Sequence, residues 1–155
     1  MPNPVQPIPT GFHSANPYLV VNDAARAIEF YQRAFGAKES FRMAGPDGKI
    51  GHAELKIGNS IIMIADESPH TGARSPRSLH GTSAGIYLYV PDVDRVFSQA
   101  LSAGAKQDQA VQDMFWGDRY GVVIDPYGHK WSFATHISDP TPEEMQAAMK
   151  AAAQR

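Results

Sequence analysis

The chain says nearly the same thing twice. Leu19-Val20-Val21-Asn22-Asp23-Ala24-Ala25-Arg26 returns as Leu88-Tyr89-Val90-Pro91-Asp92-Val93-Asp94-Arg95, sixty-nine residues later. After a one-residue slip, Gly36-Ala37-Lys38 returns as Gly104-Ala105-Lys106. Each copy reads as strand, capped helix, glycine stop and strand. A duplicated βα unit of this size lets two half-sheets face each other across a cleft, so ligand chemistry is expected on that inner wall.

Local punctuation fills in the elements. Residues 16–21 read as a buried strand. Asp23 supplies a helix N-cap, Ala24, Ala27, Ile28, Tyr31 and Phe35 fall on one helical face, and Gly36 ends the helix. Segments 38–43 and 49–57 alternate in polarity and meet through Pro46-Asp47-Gly48, and a second hairpin turns at Gly58-Asn59 into Ser60–Ala65. This predicts a βαβββ module over 15–66. Residues 67–83 carry turn formers, His70, Arg74, Arg77 and His80 with no periodicity, which marks a linker of lid length. A second βαβββ module spans 84–137. Its strand is at 84–90, its helix is capped by Asp92 and carries Val93, Val96, Phe97, Ala100 and Leu101, and Gly104 stops it. Strands near 107–115, 119–124 and 130–136 complete it. Residues 1–14, with Pro2, Pro4, Pro7 and Pro9, read as an extended arm. Residues 138–155 form a final helix opened by Thr141-Pro142-Glu143-Glu144, a capping box with proline at the first helical position. Met145, Ala148, Met149 and Ala152 give that helix one apolar face, expected to dock on the body or on a second subunit.

Composition narrows the partners. A chain of 155 residues is most simply one domain, able to bury roughly 70% of its unfolded surface. The net charge of −2 and the lack of any basic run argue against nucleic acid and anionic membrane. No apolar stretch approaches the roughly 20 residues of a bilayer span, and the start has neither the basic segment nor the apolar core of a signal peptide. With no cysteine, disulfides, thiolate metal sites and thiol nucleophiles are excluded. A cytoplasmic location is expected. No phosphate-cradling glycine loop and no Gly-Xaa-Ser-Xaa-Gly elbow is present.

Four runs carry a family resemblance: Ala27-Ile28-Glu29-Phe30-Tyr31, His52-Ala53-Glu54-Leu55, Phe115-Trp116-Gly117-Asp118-Arg119-Tyr120-Gly121 and Asp125-Pro126-Tyr127-Gly128-His129-Lys130-Trp131. With the paired βαβββ pattern, they resemble the vicinal oxygen chelate superfamily of glyoxalase I, extradiol dioxygenases, fosfomycin-resistance and bleomycin-binding proteins. Within it the chain is most similar to the PhnB-like, glyoxalase/bleomycin-resistance-type subgroup. The resemblance covers roughly residues 14–137. It implies an α+β fold, two paired βαβββ modules forming a cupped, barrel-like mixed sheet with helices outside, and a homodimer. The superfamily's metal enzymes place ligands on the first and last strand of each module, and those places fall on Asn16, Met63, Gly85 and Ser132. None offers an imidazole or carboxylate, so no metal or other cofactor is expected.

The same positions orient the strands, because side chains alternate faces and opposed hairpin residues share one. Met63 facing the cleft brings His52, Glu54 and Ile61 with it and sends Leu55, Ile57, Ile62 and Ile64 onto the helices. Tyr87 and Tyr89 turn inward beside Gly85, Asn16 brings Tyr18, and Ser132 brings Lys130 and His136. The expected wall is therefore Tyr18, His52, Glu54, Met63, Tyr87 and Tyr89. Trp116 and Arg119 stand at the cleft mouth as a stacking platform and an anion contact. Plainer alternatives stand beside each. His52 and Glu54 also suit a half-exposed polar strand face, the tyrosines suit strand packing, and Arg119 with Asp118 suits an ion pair beneath a turn glycine. His129 reads as a turn residue, Trp131 and Phe133 as core, and His70 and His80 as solvent-exposed.

These residues favour a protein that binds a planar or aromatic small molecule between its modules without the standard metal site. The alternative is a metal-independent enzyme in which Glu54 and His52 transfer a proton on a carbonyl substrate. A third reading is a metal-dependent glyoxalase-type lyase or dioxygenase with displaced ligands such as His52 and Glu54.

Overall fold

Asp23 opens the first helix, α1 (Ala24–Phe35), by accepting from the Arg26 N–H at 3.2 Å, and Gly36, at a φ of 67°, ends it. The left-handed turn satisfies carbonyls of the last helical turn without a Cβ clash. The copy repeats this. Asp92 accepts from the Arg95 N–H at 3.0 Å to open α3 (Val93–Ala103), which stops at Gly104. The computed structural model describes residues 4–154, so Met1–Asn3 of the expected arm and Arg155 lie outside the described residues.

Around each helix the chain builds one four-stranded sheet. The first contains β1 (Tyr18–Val21), β2 (Lys38–Ala44), β3 (Ile50–Ile57) and β4 (Ser60–Asp66) in the order β1-β4-β3-β2. The second contains β5 (Gly85–Tyr89), β6 (Lys106–Asp113), β7 (Asp118–Ile124) and β8 (Lys130–His136) in the order β5-β8-β7-β6. In both, the first strand pairs parallel with the last, and the remaining pairs are antiparallel. Ile57 pairs with Ser60 and Glu54 with Met63, the register that a Gly58-Asn59 turn demands. Leu55, Ile57, Ile62 and Ile64 are accordingly buried beneath the helices.

Two features differ from expectation. The sheets are not closed into a barrel-like cup: β1 pairs only with β4 and β5 only with β8. A cavity of about 440 Å³, lined by Tyr18, Val20, Leu79, Gly85, Ile86 and Lys130, occupies the space where those two edges would have joined. The linker also holds a short helix, α2 (Pro76–Leu79), capped by the Ser75 side chain, whose single turn is too brief to show a periodicity. The final helix α4 (Pro142–Ala152) has the Thr141 capping box, but no residue of it is buried and Met149 is 59% exposed. Among the described residues no helix is long and apolar enough to cross a membrane.

What joins the modules is the helix layer. Phe35 of α1 sits 4.5 Å from Trp131 and 5.2 Å from Phe133, ring centre to centre, and Tyr31 lies 5.3 Å from Trp131. Phe30 is buried as well, against Tyr127 of the second module, because α1 is covered by more than its own sheet. At the centre of this seam Asp125, 4% exposed, accepts four hydrogen bonds. The Tyr31 hydroxyl (2.6 Å) and Trp131 Nε1 (2.9 Å) donate to one oxygen, the Tyr127 and His129 backbone N–H groups to the other. His129, expected as a turn residue, also places its Nε2 3.0 Å from the Val20 carbonyl of β1.

Each buried donor left without an acceptor costs about 1–3 kcal/mol. Asp125→Ala is therefore expected to destabilise the fold by roughly 3 kcal/mol or more, read as a lower urea midpoint at unchanged slope. A loss under about 1 kcal/mol would show that Asp125 does not hold the modules together.

Candidate functional site

Strand alternation leaves one face of each sheet free of helices, and polar side chains gather there in two separate constellations. On the first sheet, Tyr18 of β1 reaches across β4 to β3, its hydroxyl 2.9 Å from Nδ1 of His52. The other ring nitrogen, Nε2, lies 3.3 Å from Oε1 of Glu54. With Glu54 ionised and His52 neutral, Nε2 donates to Glu54 and Nδ1 accepts from the Tyr18 O–H. The Tyr18 and Phe41 rings flank the imidazole, with centres 5.5 and 6.2 Å away. Met63 pairs with both Tyr18 and Glu54 and lines, with Glu54, a cavity of about 460 Å³ beneath Ile8, Pro9 and Phe12 of the arm.

On the second sheet the hub is Asp118, first residue of β7 and 2% exposed. Its Oδ2 accepts from the hydroxyls of Tyr87 (2.8 Å) and Tyr89 (3.0 Å), and its Oδ1 lies 2.8 Å from His136 Nδ1. His136 Nε2 in turn faces Asp139 at 2.8 Å. Burial pushes the Asp118 carboxyl up, but hydrogen bonds from His136, Tyr87 and Tyr89 outweigh it and hold the group below the usual carboxylate range. Desolvation and the bond to Asp118 raise the Tyr87 phenol, and the bond to Asp118 followed by desolvation raises Tyr89. Hydrogen bonds to Asp139 and Asp118 raise the His136 imidazole above its ordinary value. The rings continue as a row: Tyr89 lies 5.3 Å from Tyr87, Tyr87 stacks on Tyr120 at 5.6 Å and 21°, and Trp116 sets its edge on Tyr120 at 5.5 Å.

The wall expected from the sequence thus divides in two: Tyr18, His52, Glu54 and Met63 on one sheet, Tyr87, Tyr89 and Trp116 on the other. No hydrogen bond or ring contact joins the groups among the described residues. Arg119 does not stand with either group. Its alternation places it on the helix side, where it donates to both oxygens of Asp94 (2.7 and 2.8 Å) and to Asp113 (2.9 Å), not to Asp118. Bonds to Asp94 and Asp113 raise its guanidinium further, and Arg119 holds the Asp94 carboxyl down. Sequence reasoning missed Asp118 as the hub and Tyr120 in the row, although the pairing of Asp118 with His136 puts both on the face already assigned to Ser132.

The four positions that the resemblance marks for metal ligands hold no imidazole or carboxylate. Asn16 exchanges hydrogen bonds with the His13 backbone, the Met63 thioether is soft, Gly85 has no side chain, and the Ser132 hydroxyl lies 3.3 Å from Tyr120. Among the described residues no three His, Asp or Glu side chains are arranged to hold a metal.

Two four-stranded mixed sheets with helices on one side define an α+β protein of duplicated βαβββ design. The profile of the Glyoxalase/Bleomycin resistance protein/Dioxygenase superfamily matches residues 11–133, and the chain belongs to that superfamily. It is 50% identical over 137 residues to the uncharacterized protein Mb0911c of Mycobacterium bovis, covering 86% of this chain and 90% of that one. Among solved structures it is similar to TioX from Micromonospora sp. ML1, with 31% identity, a TM-score of 0.62 and coverage of 80% of this chain and 100% of TioX. The fosfomycin resistance protein FosX of Listeria monocytogenes shares the fold at a TM-score of 0.64 and 16% identity, covering 86% of this chain and 97% of FosX.

The charge arrangement fixes the pH behaviour of the second constellation. A raised folded-state pKa at His136 gives stability that is complete below the unfolded value and fades as pH rises through the folded one. A lowered pKa at Asp118 gives stability present above its unfolded value and lost as pH falls through the folded one. Asp118→Asn is expected to lower the His136 titration midpoint, followed by proton NMR of the imidazole, while Asp139 keeps part of the elevation. A midpoint unchanged by the substitution would show that the Asp118 contact does not hold in solution.

Proposed function

We propose that this protein binds a planar aromatic small molecule on the second sheet, against the ring row Trp116, Tyr120, Tyr87 and Tyr89, without the standard metal site. One observation carries the reading: the buried Asp118 carboxylate fixes the hydroxyls of two neighbouring tyrosines that remain 45% and 61% exposed as residues. A phenol that donates to a carboxylate is electron-rich, so the faces it presents favour a ring bearing positive charge. Fixing those rings beforehand removes ordering cost from binding. Placement in the PhnB-like subgroup belongs to the same reading and rests on the residue runs around Tyr31, His52, Trp116 and Tyr127. A cytoplasmic homodimer belongs to the same proposal, and the exposed edge strands β2 and β6 leave backbone free to pair with a second copy.

The planar cation proflavine, titrated while intrinsic fluorescence is followed, is expected to quench Trp116 saturably and to outcompete the planar anion 1-pyrenesulfonate. Tyr87→Ala should weaken proflavine about tenfold, the loss of a stacking partner and its contact area. Saturable binding indifferent to Tyr87→Ala would move the ligand elsewhere, and no quenching at all would end the proposal.

A further inference from the structure

The chain that leaves the second sheet is lightly held. No residue of α4 is buried, and a gap of about 420 Å³ lies between its Ala148 and Ala152 and the Met114 and Phe115 of the β6–β7 turn. The Thr141 and Glu144 side chains are spent on the helix's own capping box. The Ile137 and Ser138 N–H groups both donate to the Gly117 carbonyl, which anchors the chain as far as Ser138. From Asp139 onward, one hydrogen bond among the described residues reaches back to the body: Asp139 Oδ1 lies 2.8 Å from His136 Nε2.

That bond belongs to an imidazole gripped from both sides, because Nδ1 lies 2.8 Å from Oδ1 of Asp118. With both carboxyls ionised each can only accept, so both ring nitrogens carry hydrogen and the ring is an imidazolium. The charged and titratable groups around it are Asp118 from β7, Tyr87 and Tyr89 from β5 through that carboxylate, and Asp139 from the segment after β8. Arg119 is turned the other way, onto Asp94 and Asp113. The two acids differ in what they can do without the histidine. The Asp139 side chain is 95% exposed and has water to replace it, whereas the Asp118 side chain is 3% exposed. A neutral imidazole keeps a single N–H, and it serves the acid that water cannot reach.

We infer that His136 is a proton-operated latch: charged, it ties the segment entering α4 to the second sheet, and neutral, it keeps Asp118 and releases Asp139, so that α4 swings off the β6–β7 turn. Bonds to Asp139 and Asp118 raise the imidazole above its ordinary value, so the latch is fully closed below the unfolded value and opens as pH rises through the folded midpoint. Opening uncovers Met114 and Phe115, two residues and one residue before Trp116 of the ring row. The latch needs no ligand on that row, so either reading can fail while the other stands.

The test follows backbone amide exchange and the His136 imidazole together by NMR as pH is raised, with exchange corrected for its intrinsic pH dependence. Exchange at Met145, Ala148 and Met149 is expected to rise about threefold, the scale of an exposed ion pair, with the midpoint of the imidazole titration. Phe133 and Ala134 of β8 should stay level over the same range, because the sheet itself does not loosen. Asp139→Asn, a change at an exposed side chain, is expected to lower the His136 midpoint and to flatten the response of α4. Exchange in α4 that is flat through the midpoint, a parallel rise in β8, or a folded Asp139→Asn protein that keeps the wild-type midpoint or response would each overturn the latch.

Discussion

The hydrogen-bond hub at Asp125 is the constraint on which the rest of the molecule depends. It ties a side chain from the first module, Tyr31, to the indole and the turn backbone of the second. Burial, followed by the charge of Asp125, raises the Tyr31 phenol well above its ordinary pKa, which keeps the hydroxyl a donor to Asp125. Because the modules meet through a helix layer and this buried acid, no strand pairing is needed between their sheets. Both helix-free faces stay available for chemistry.

Duplication gave those faces equivalent positions, and substitution gave them different side chains. Tyr18 beside Met63 corresponds to Tyr87 beside Ser132, and Glu54 opposite Met63 corresponds to Val122 opposite Ser132. Two positions before Glu54 stands an imidazole, and two before Val122 stands a phenol. The first face therefore links Tyr18 to His52 by a hydrogen bond, while the second stacks Tyr87 on Tyr120. One backbone geometry, read twice, holds a hydrogen-bonded polar row and a row of aromatic rings.

Much of this was legible in the chain. Asp23, Asp92, Gly36 and Gly104 mark helix ends through local chemistry, and the Gly58-Asn59 turn sets the register that puts His52 and Glu54 on one face. The superfamily follows from runs of residues that retain their spacing. What escaped depends on distance. Nothing local to Asp118 announces that Tyr87 and Tyr89, some thirty residues earlier, will point their hydroxyls at it. Arg119, next in sequence, looked like its partner, yet neighbours on a strand face opposite ways and Arg119 meets Asp94 instead. Closure of the sheets into a barrel was a matter of packing between modules, which large rings on α1 decide and no single segment encodes.

Gly117, the residue before Asp118, has a φ of 99°, and its carbonyl accepts from the backbone N–H groups of both Ile137 and Ser138. A Cβ at this position would run into the Ser138 carbonyl and the Pro140 ring. The segment leaving β8 is thus clasped over the peptide that follows Trp116. The C-terminal stretch is thereby pinned to the turn that carries the outermost ring, and a side chain in place of this glycine would force the chain to depart the second sheet by another route.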